Sequence, residues 1–155
     1  MSLSTSLEVA QREVAGALDR QGGEDDALDV KTGLVLALDA AALVGILTVA
    51  RKGEPAESFF WIALLLVVLS TGGSLLALVP RGLQHPPEPF AFALAYGGSK
   101  SVPVQEVVRL LMNAQLRAWD LNNQLLARKL RLFVMAAAWA VGGIASFVLQ
   151  AIFGV

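Results

Sequence analysis

The sequence predicts an all-α membrane protein with three transmembrane helices, its N-terminus inside (N-in) and its C-terminus outside (C-out). A cytoplasmic amphipathic helix precedes the first span, and a long helix is continuous with the third. Three observations lead there. The 155-residue chain is 55% hydrophobic and only 16% charged, with mean hydropathy +0.62, whereas about a quarter of an ordinary soluble domain is charged. The apolar excess is gathered into blocks at 33–50, 59–80 and 132–155, and a helix of about 20 mostly apolar residues crosses ~30 Å of hydrocarbon. Finally, two basic residues, Arg51 and Lys52, fall in the 51–58 turn and seven in 81–131. Positive charge near span ends stays cytoplasmic, which places the 81–131 segment inside.

Each element has its own signal. Residues 1–24 form the amphipathic helix and a linker. Leu3, Leu7, Ala10, Val14 and Ala17 recur at 4-3-4-3 spacing, with Glu8, Arg12, Asp19 and Arg20 elsewhere on the wheel. Gly22-Gly23 is expected to end this helix. The acidic step Glu24, Asp25, Asp26 and Asp29 suits the first turn of a second helix, where exposed N–H groups favour anions. The charges within residues 1–25 leave no apolar core for a cleavable signal peptide. Residues 25–80 then make a transmembrane hairpin, with spans at about 33–50 and 59–80 joined by RKGEPAES.

Residues 81–131 read as a cytoplasmic sensor or oligomerisation segment. Prolines 86, 87 and 89 forbid a helix at its start. Phe90, Phe92, Leu94 and Tyr96 alternate in a strand-like period of two, stopped by Gly97-Gly98. From about Val102 a long helix begins. Val104, Val107, Leu111, Ala114, Ala118, Leu121 and Leu125 form a heptad seam. Arg109, Asn113, Arg117, Asp120, Gln124 and Arg128 line the opposite side. The next glycine is Gly142, so one helix is expected to continue into the third span, 132–155. The two seams would lie parallel, covering one another or the same seam of a neighbouring subunit, so a homo-oligomer is expected.

Composition narrows the chemistry. There is no cysteine for a disulfide or thiolate site, and a single histidine, His85, makes a histidine metal site improbable. A net charge of −1 does not suggest nucleic-acid binding. No hydrolase, transferase, redox or phosphate-loop motif is visible. The expectation is therefore no enzyme, no catalytic residue, no metal and no cofactor.

Polar groups in unusual places are the candidates. In TGLVLALDAAALVGILTVA (32–50) the central residues are apolar except Asp39. It lies six residues past Gly33, about 9 Å into the span. Ser74 and Trp139 are expected at similar depth on the other two spans. Gly72, Gly73, Gly142 and Gly143 would let helix backbones approach. A mid-membrane carboxylate costs ~2.5–3.5 kcal/mol on insertion scales, relieved by pairing, protonation or water. Asp39 is then a pore-lining or gating residue, or a structural hydrogen bond fixing helix register, or it snorkels to the edge. The loop GGSKS (97–101) offers backbone N–H groups and Lys100 to an anion at a helix start, or is a turn capped by Ser101. Arg109, Asn113 and Arg117, one turn apart, could hold a phosphate and a base edge, or form a solvated face. Arg128, Lys129 and Arg131 are most simply an anchor beside anionic headgroups.

Three stretches, DVKTGLVLALDAAAL, SLLALVPRG and NNQLLARKLRLF, together resemble the Pycsar transmembrane effectors over roughly residues 25–150. That resemblance implies a small membrane protein of bacterial anti-phage defence, sited in the inner membrane. It implies sensing of a cyclic pyrimidine nucleotide, cyclic CMP or cyclic UMP, made by a partner nucleotide cyclase, and impairment of the membrane. The two-span effectors of cyclic-oligonucleotide defence are a near alternative. From another class, the chain would be a structural membrane scaffold or oligomeric anchor, docking a partner through its cytoplasmic heptad helices.

Overall fold

A computed structural model describes residues 3–51, 58–79, 82–84 and 104–153, with side chains for 9–50, 60–79, 82–84 and 106–152. It is all-helical among these residues: α1 is Leu3–Arg51, α2 is Ser58–Leu78 and α3 is Val104–Phe153. Each is long and apolar enough to cross a membrane. The expected strand-like segment 90–96, the GGSKS loop with Lys100, and most of the 51–58 turn lie outside the described residues.

The chain divides into two compact units: Met1–Asp25 with Arg81–Ala127, and Asp26–Pro80 with Arg128–Val155. α1 and α3 each contribute to both. The long helix expected from about Val102 is present as α3, unbroken through Gly142 and Gly143.

α1 departs from expectation. Gly22-Gly23 does not end a helix, and the acidic step does not begin one; both lie inside the 49-residue α1. A glycine costs about 1 kcal/mol against alanine in a helix interior. That cost is met by the helix extending on both sides and by the packing of residues either side of the pair. The acids therefore have no free N–H groups to cap. Asp29 instead pairs with Lys129, Nζ to Oδ1 at 2.6 Å.

In the first unit, Ala10, Val14 and Ala17 of α1 are half-buried and Gln21, next in the 4-3-4 series, is buried. The Gln21 side-chain N–H donates to the Trp119 carbonyl at 3.1 Å. On α3 the buried line is Leu111, Gln115, Ala118, Asn122 and Leu126, while Leu121 of the expected seam is 43% exposed. The period of a straight helix is 3.6, so a 3.5-residue seam drifts around it. An apolar-only pattern also passes over Gln115 and Asn122. Asn122 earns burial by bonding both ways to one peptide: Gln84 N–H donates to its Oδ1 at 2.9 Å, and its Nδ2 donates to the Gln84 carbonyl at 3.2 Å.

The second unit packs three helical segments. Ile46, Phe60, Ala63 and Val67 form its core, with Ala42, Leu43, Leu64 and Phe147 against them. α2 and α3 approach through small residues. A Cβ on Gly73 would meet Ala136 Cβ at 3.3 Å, and one on Gly143 would meet Val67 Cγ2 at 2.9 Å and the Ala63 carbonyl at 3.3 Å. Gly142 faces the end of Leu66 at 3.3 Å, whereas Gly72 faces open space. So two of the four expected glycines bring backbones together, as small residues do between membrane helices.

Polarity in this unit runs opposite to that of a soluble protein. Thr32, Asp39, Ser70 and Ser74 are buried, while Leu34, Val44, Leu65, Val141 and Ile152 are each more than half exposed. So much contiguous apolar exposure suits hydrocarbon rather than water. Thr32, Thr48 and Thr71 return their hydroxyls to the carbonyls of Leu28, Val44 and Val67 at 2.7, 2.7 and 2.9 Å, which satisfies a hydroxyl within its own helix.

Candidate functional site

Asp39 is the point where the three segments of the second unit meet. It is 1% exposed. Val35, Ala42 and Ile46, at helical spacing on the same face of α1, are buried or half-buried beside it, and that packing turns the carboxylate inward. Ser70 and Thr71 approach from α2. The Ser70 hydroxyl donates to Asp39 Oδ2 at 2.8 Å and lies 2.9 Å from the Ala136 carbonyl on α3. The Thr71 hydroxyl donates to its own Val67 carbonyl and sits 3.4 Å from the same Asp39 oxygen. A single serine thus links all three segments.

The partner hydroxyls are one turn from the one expected by depth. Ser74 is fully buried, but its hydroxyl has no hydrogen-bond partner among the described residues, and neither does Asp39 Oδ1. Trp139 is half-buried and lays its ring against Gly73, with Cζ3 at 3.5 Å from a Cβ position there. Counting residues from the ends of the apolar blocks assumes that these ends lie level. α1 has no such end, because the helix continues through Gly33 towards residue 3. One turn of error follows. The paired hydroxyls in LSTGGS were the available signal: Ser70 and Ser74 are i and i+4 on one face of α2.

The nucleotide candidates belong to the first unit. Arg109, Asn113 and Arg117 are all exposed and share one face of α3 at i, i+4 and i+8. Arg109 Nη2 is 4.0 Å from Glu106 Oε1, with both side chains more than half exposed, so the guanidinium is only loosely held. Lys100 lies outside the described residues. Arg128 and Arg131 are exposed, and Lys129 is held by Asp29. Among the described residues no three His, Cys, Asp or Glu side chains are grouped as a metal site.

Spanning-length helices, an apolar exterior and polar groups turned inward define a multi-pass membrane protein. The family model for the Pycsar effector protein domain matches residues 14–155, a stretch that contains every candidate residue above. The chain therefore belongs to that family, whose members are effectors of anti-phage defence. No curated protein and no solved structure matches it.

Proposed function

We propose that this protein is a signal-gated effector of the bacterial inner membrane. A cyclic pyrimidine nucleotide, cyclic CMP or cyclic UMP, made by a partner cyclase on infection, binds the first unit on its cytoplasmic side. The change impairs membrane integrity. The observation that carries this reading is the family match over residues 14–155. The helices supply a route: α1 and α3 are each uninterrupted, so a change in their packing around Gln21, Trp119 and Asn122 is carried along the same helices into the spans.

Arg109, Arg117 and Lys100 provide charge for a phosphate, and Asn113 can donate to or accept from a base edge. Activation requires that the nucleotide bind the two states differently. Asp39, Ser74 and Trp139 belong to the gating part, together with Ser70 and Thr71. α2 and α3 pack closely at Gly73 and Gly143, which favours an opened path formed between several copies, and on this reading the effector acts as a homo-oligomer.

The test is thermal unfolding of the detergent-purified chain with cyclic CMP or cyclic UMP. A ligand at 100 times its Kd stabilises the folded state by about 2.7 kcal/mol. The expected result is a raised midpoint with one of the two, weakened at least ~10-fold in affinity by Arg109→Ala or Arg117→Ala, since a charge-assisted bond is worth roughly 1.5–3 kcal/mol. No shift with either nucleotide overturns the sensing step and favours a scaffold that docks a protein partner.

A further inference from the structure

We infer that the oxygen cluster at Asp39 is a binding site for a small monovalent cation, a sodium ion or a proton. The inference concerns the second unit alone and stands whether or not a nucleotide acts on the first.

Charge is the first observation. Residues 33–50, 58–80 and 132–155 contain no Lys, Arg or His, and Asp39 is their sole ionisable side chain. Among the described residues, no basic group faces Asp39 from any of the packed elements. On α1, Lys31 is exposed and eight residues away, about 12 Å along the axis. α2 carries no charged residue. On α3, Lys129 is engaged by Asp29 at 2.6 Å. Arg131 is exposed and lies about 140° around the helix from Ala136. A second copy of the chain brings the same uncharged spans, so oligomerisation supplies no counter-charge at this depth either.

Hydrogens are the second observation. The Ser70 hydroxyl has one hydrogen but two short oxygen neighbours, Asp39 Oδ2 at 2.8 Å and the Ala136 carbonyl at 2.9 Å. Neither neighbour brings a hydrogen when Asp39 is ionised. Asp39 Oδ1 and Ser74 Oγ are buried with no partner among the described residues. Ser74 stands one helical turn from Ser70 on the same face of α2, and both are 0% exposed. The described interior thus holds a carboxylate with one oxygen unpartnered and a second serine hydroxyl without a partner, and it lacks a positive charge.

Water would bring hydrogens without charge. A cation supplies what is missing, and hard oxygen donors of this kind suit an alkali ion or a proton. One carboxylate balances one positive charge. Divalent sites in proteins usually recruit several carboxylates, and the spans offer no side-chain carboxylate besides Asp39. A cation held by Asp39, Ser70 and Ala136 ties α1, α2 and α3 together, so its loss loosens the three-helix packing.

The test uses the full-length protein in detergent at constant ionic strength. Sodium chloride replaces choline chloride while thermal unfolding is followed. In parallel, a hydrophobic carbodiimide, which modifies only protonated carboxyls, is mapped by mass spectrometry. A midpoint raised by at least ~2 °C by Na⁺, with Na⁺ protecting Asp39 from the reagent, establishes sodium as the ion. Labelling of Asp39 that Na⁺ does not alter establishes the proton. Absence of both the Na⁺ response and the labelling overturns the site. Asp39→Asn, whose amide brings its own hydrogens to Ser70, is expected to lose the Na⁺ response. A response of unchanged size in that variant overturns the assignment to Asp39. Labelling of the unaltered chain decides the matter even where the variant does not fold.

Discussion

Asp39 is held by Ser70 at 2.8 Å and, among the described residues, by nothing of opposite charge, which separates its role in stability from any role in function. Removing one partner of a buried polar contact costs about 1–3 kcal/mol when the other is left unsatisfied. Ser70→Ala leaves the carboxylate with only the long Thr71 contact, so this variant is expected to lower the unfolding midpoint in detergent. Asp39→Leu removes the charge itself, and the Ser70 hydroxyl still has the Ala136 carbonyl to bond. Replacing buried charged groups by apolar side chains of similar volume is often neutral or stabilising, whereas leucine is larger than aspartate and overpacking costs about 1–3 kcal/mol, so the two effects offset. Asp39→Leu is therefore expected to fold with a midpoint close to that of the unaltered chain, yet to lose toxicity when expressed with its activating signal. Undiminished toxicity in both Asp39→Leu and Asp39→Asn contradicts a gating role.

Among the elements, the glycines behave in two ways. A Cβ at Gly143 falls 2.9 Å from Val67 and 3.3 Å from a backbone carbonyl, so Gly143→Ala forces α2 and α3 apart, at about 1–3 kcal/mol for overpacking. Gly22 and Gly23 meet nothing within 4 Å, so Gly22→Ala and Gly23→Ala are each expected to stabilise α1 by up to about 1 kcal/mol. Thermal unfolding followed by circular dichroism reads both effects, in opposite directions. These same elements show how far sequence reading reaches. The three apolar blocks and the unbroken Val104–Phe153 helix were legible, because length and absence of helix breakers decide them. The end placed at Gly22-Gly23 was not, because glycine is only a weak breaker and helix on both sides outweighs it. The seam of α3 was misread at Leu121 because burial there follows two amides, Gln115 and Asn122, the second bonded both ways to Gln84, and no apolar pattern marks them. Asp39 stood out as a lone charge in an apolar run, while its partners Ser70 and Thr71 depended on a helix register that depth counting sets only to within a turn.

For the whole molecule, two facts bear on how a signal would reach the bilayer. α1 and α3 each run without interruption through both compact units. The spans themselves bury few polar groups and expose apolar side chains widely, as a chain solvated by lipid must. Membership of the Pycsar effector family places these features in anti-phage defence, and the proposal adds that a cyclic pyrimidine nucleotide is the trigger and the membrane the target. The most direct test is release of an encapsulated dye from liposomes carrying the full-length chain. With cyclic CMP or cyclic UMP outside vesicles whose first units face outward, the account predicts rapid release with one of them, none with the linear nucleotide, and none from Asp39→Leu vesicles. Vesicles that remain sealed with both cyclic nucleotides would contradict it.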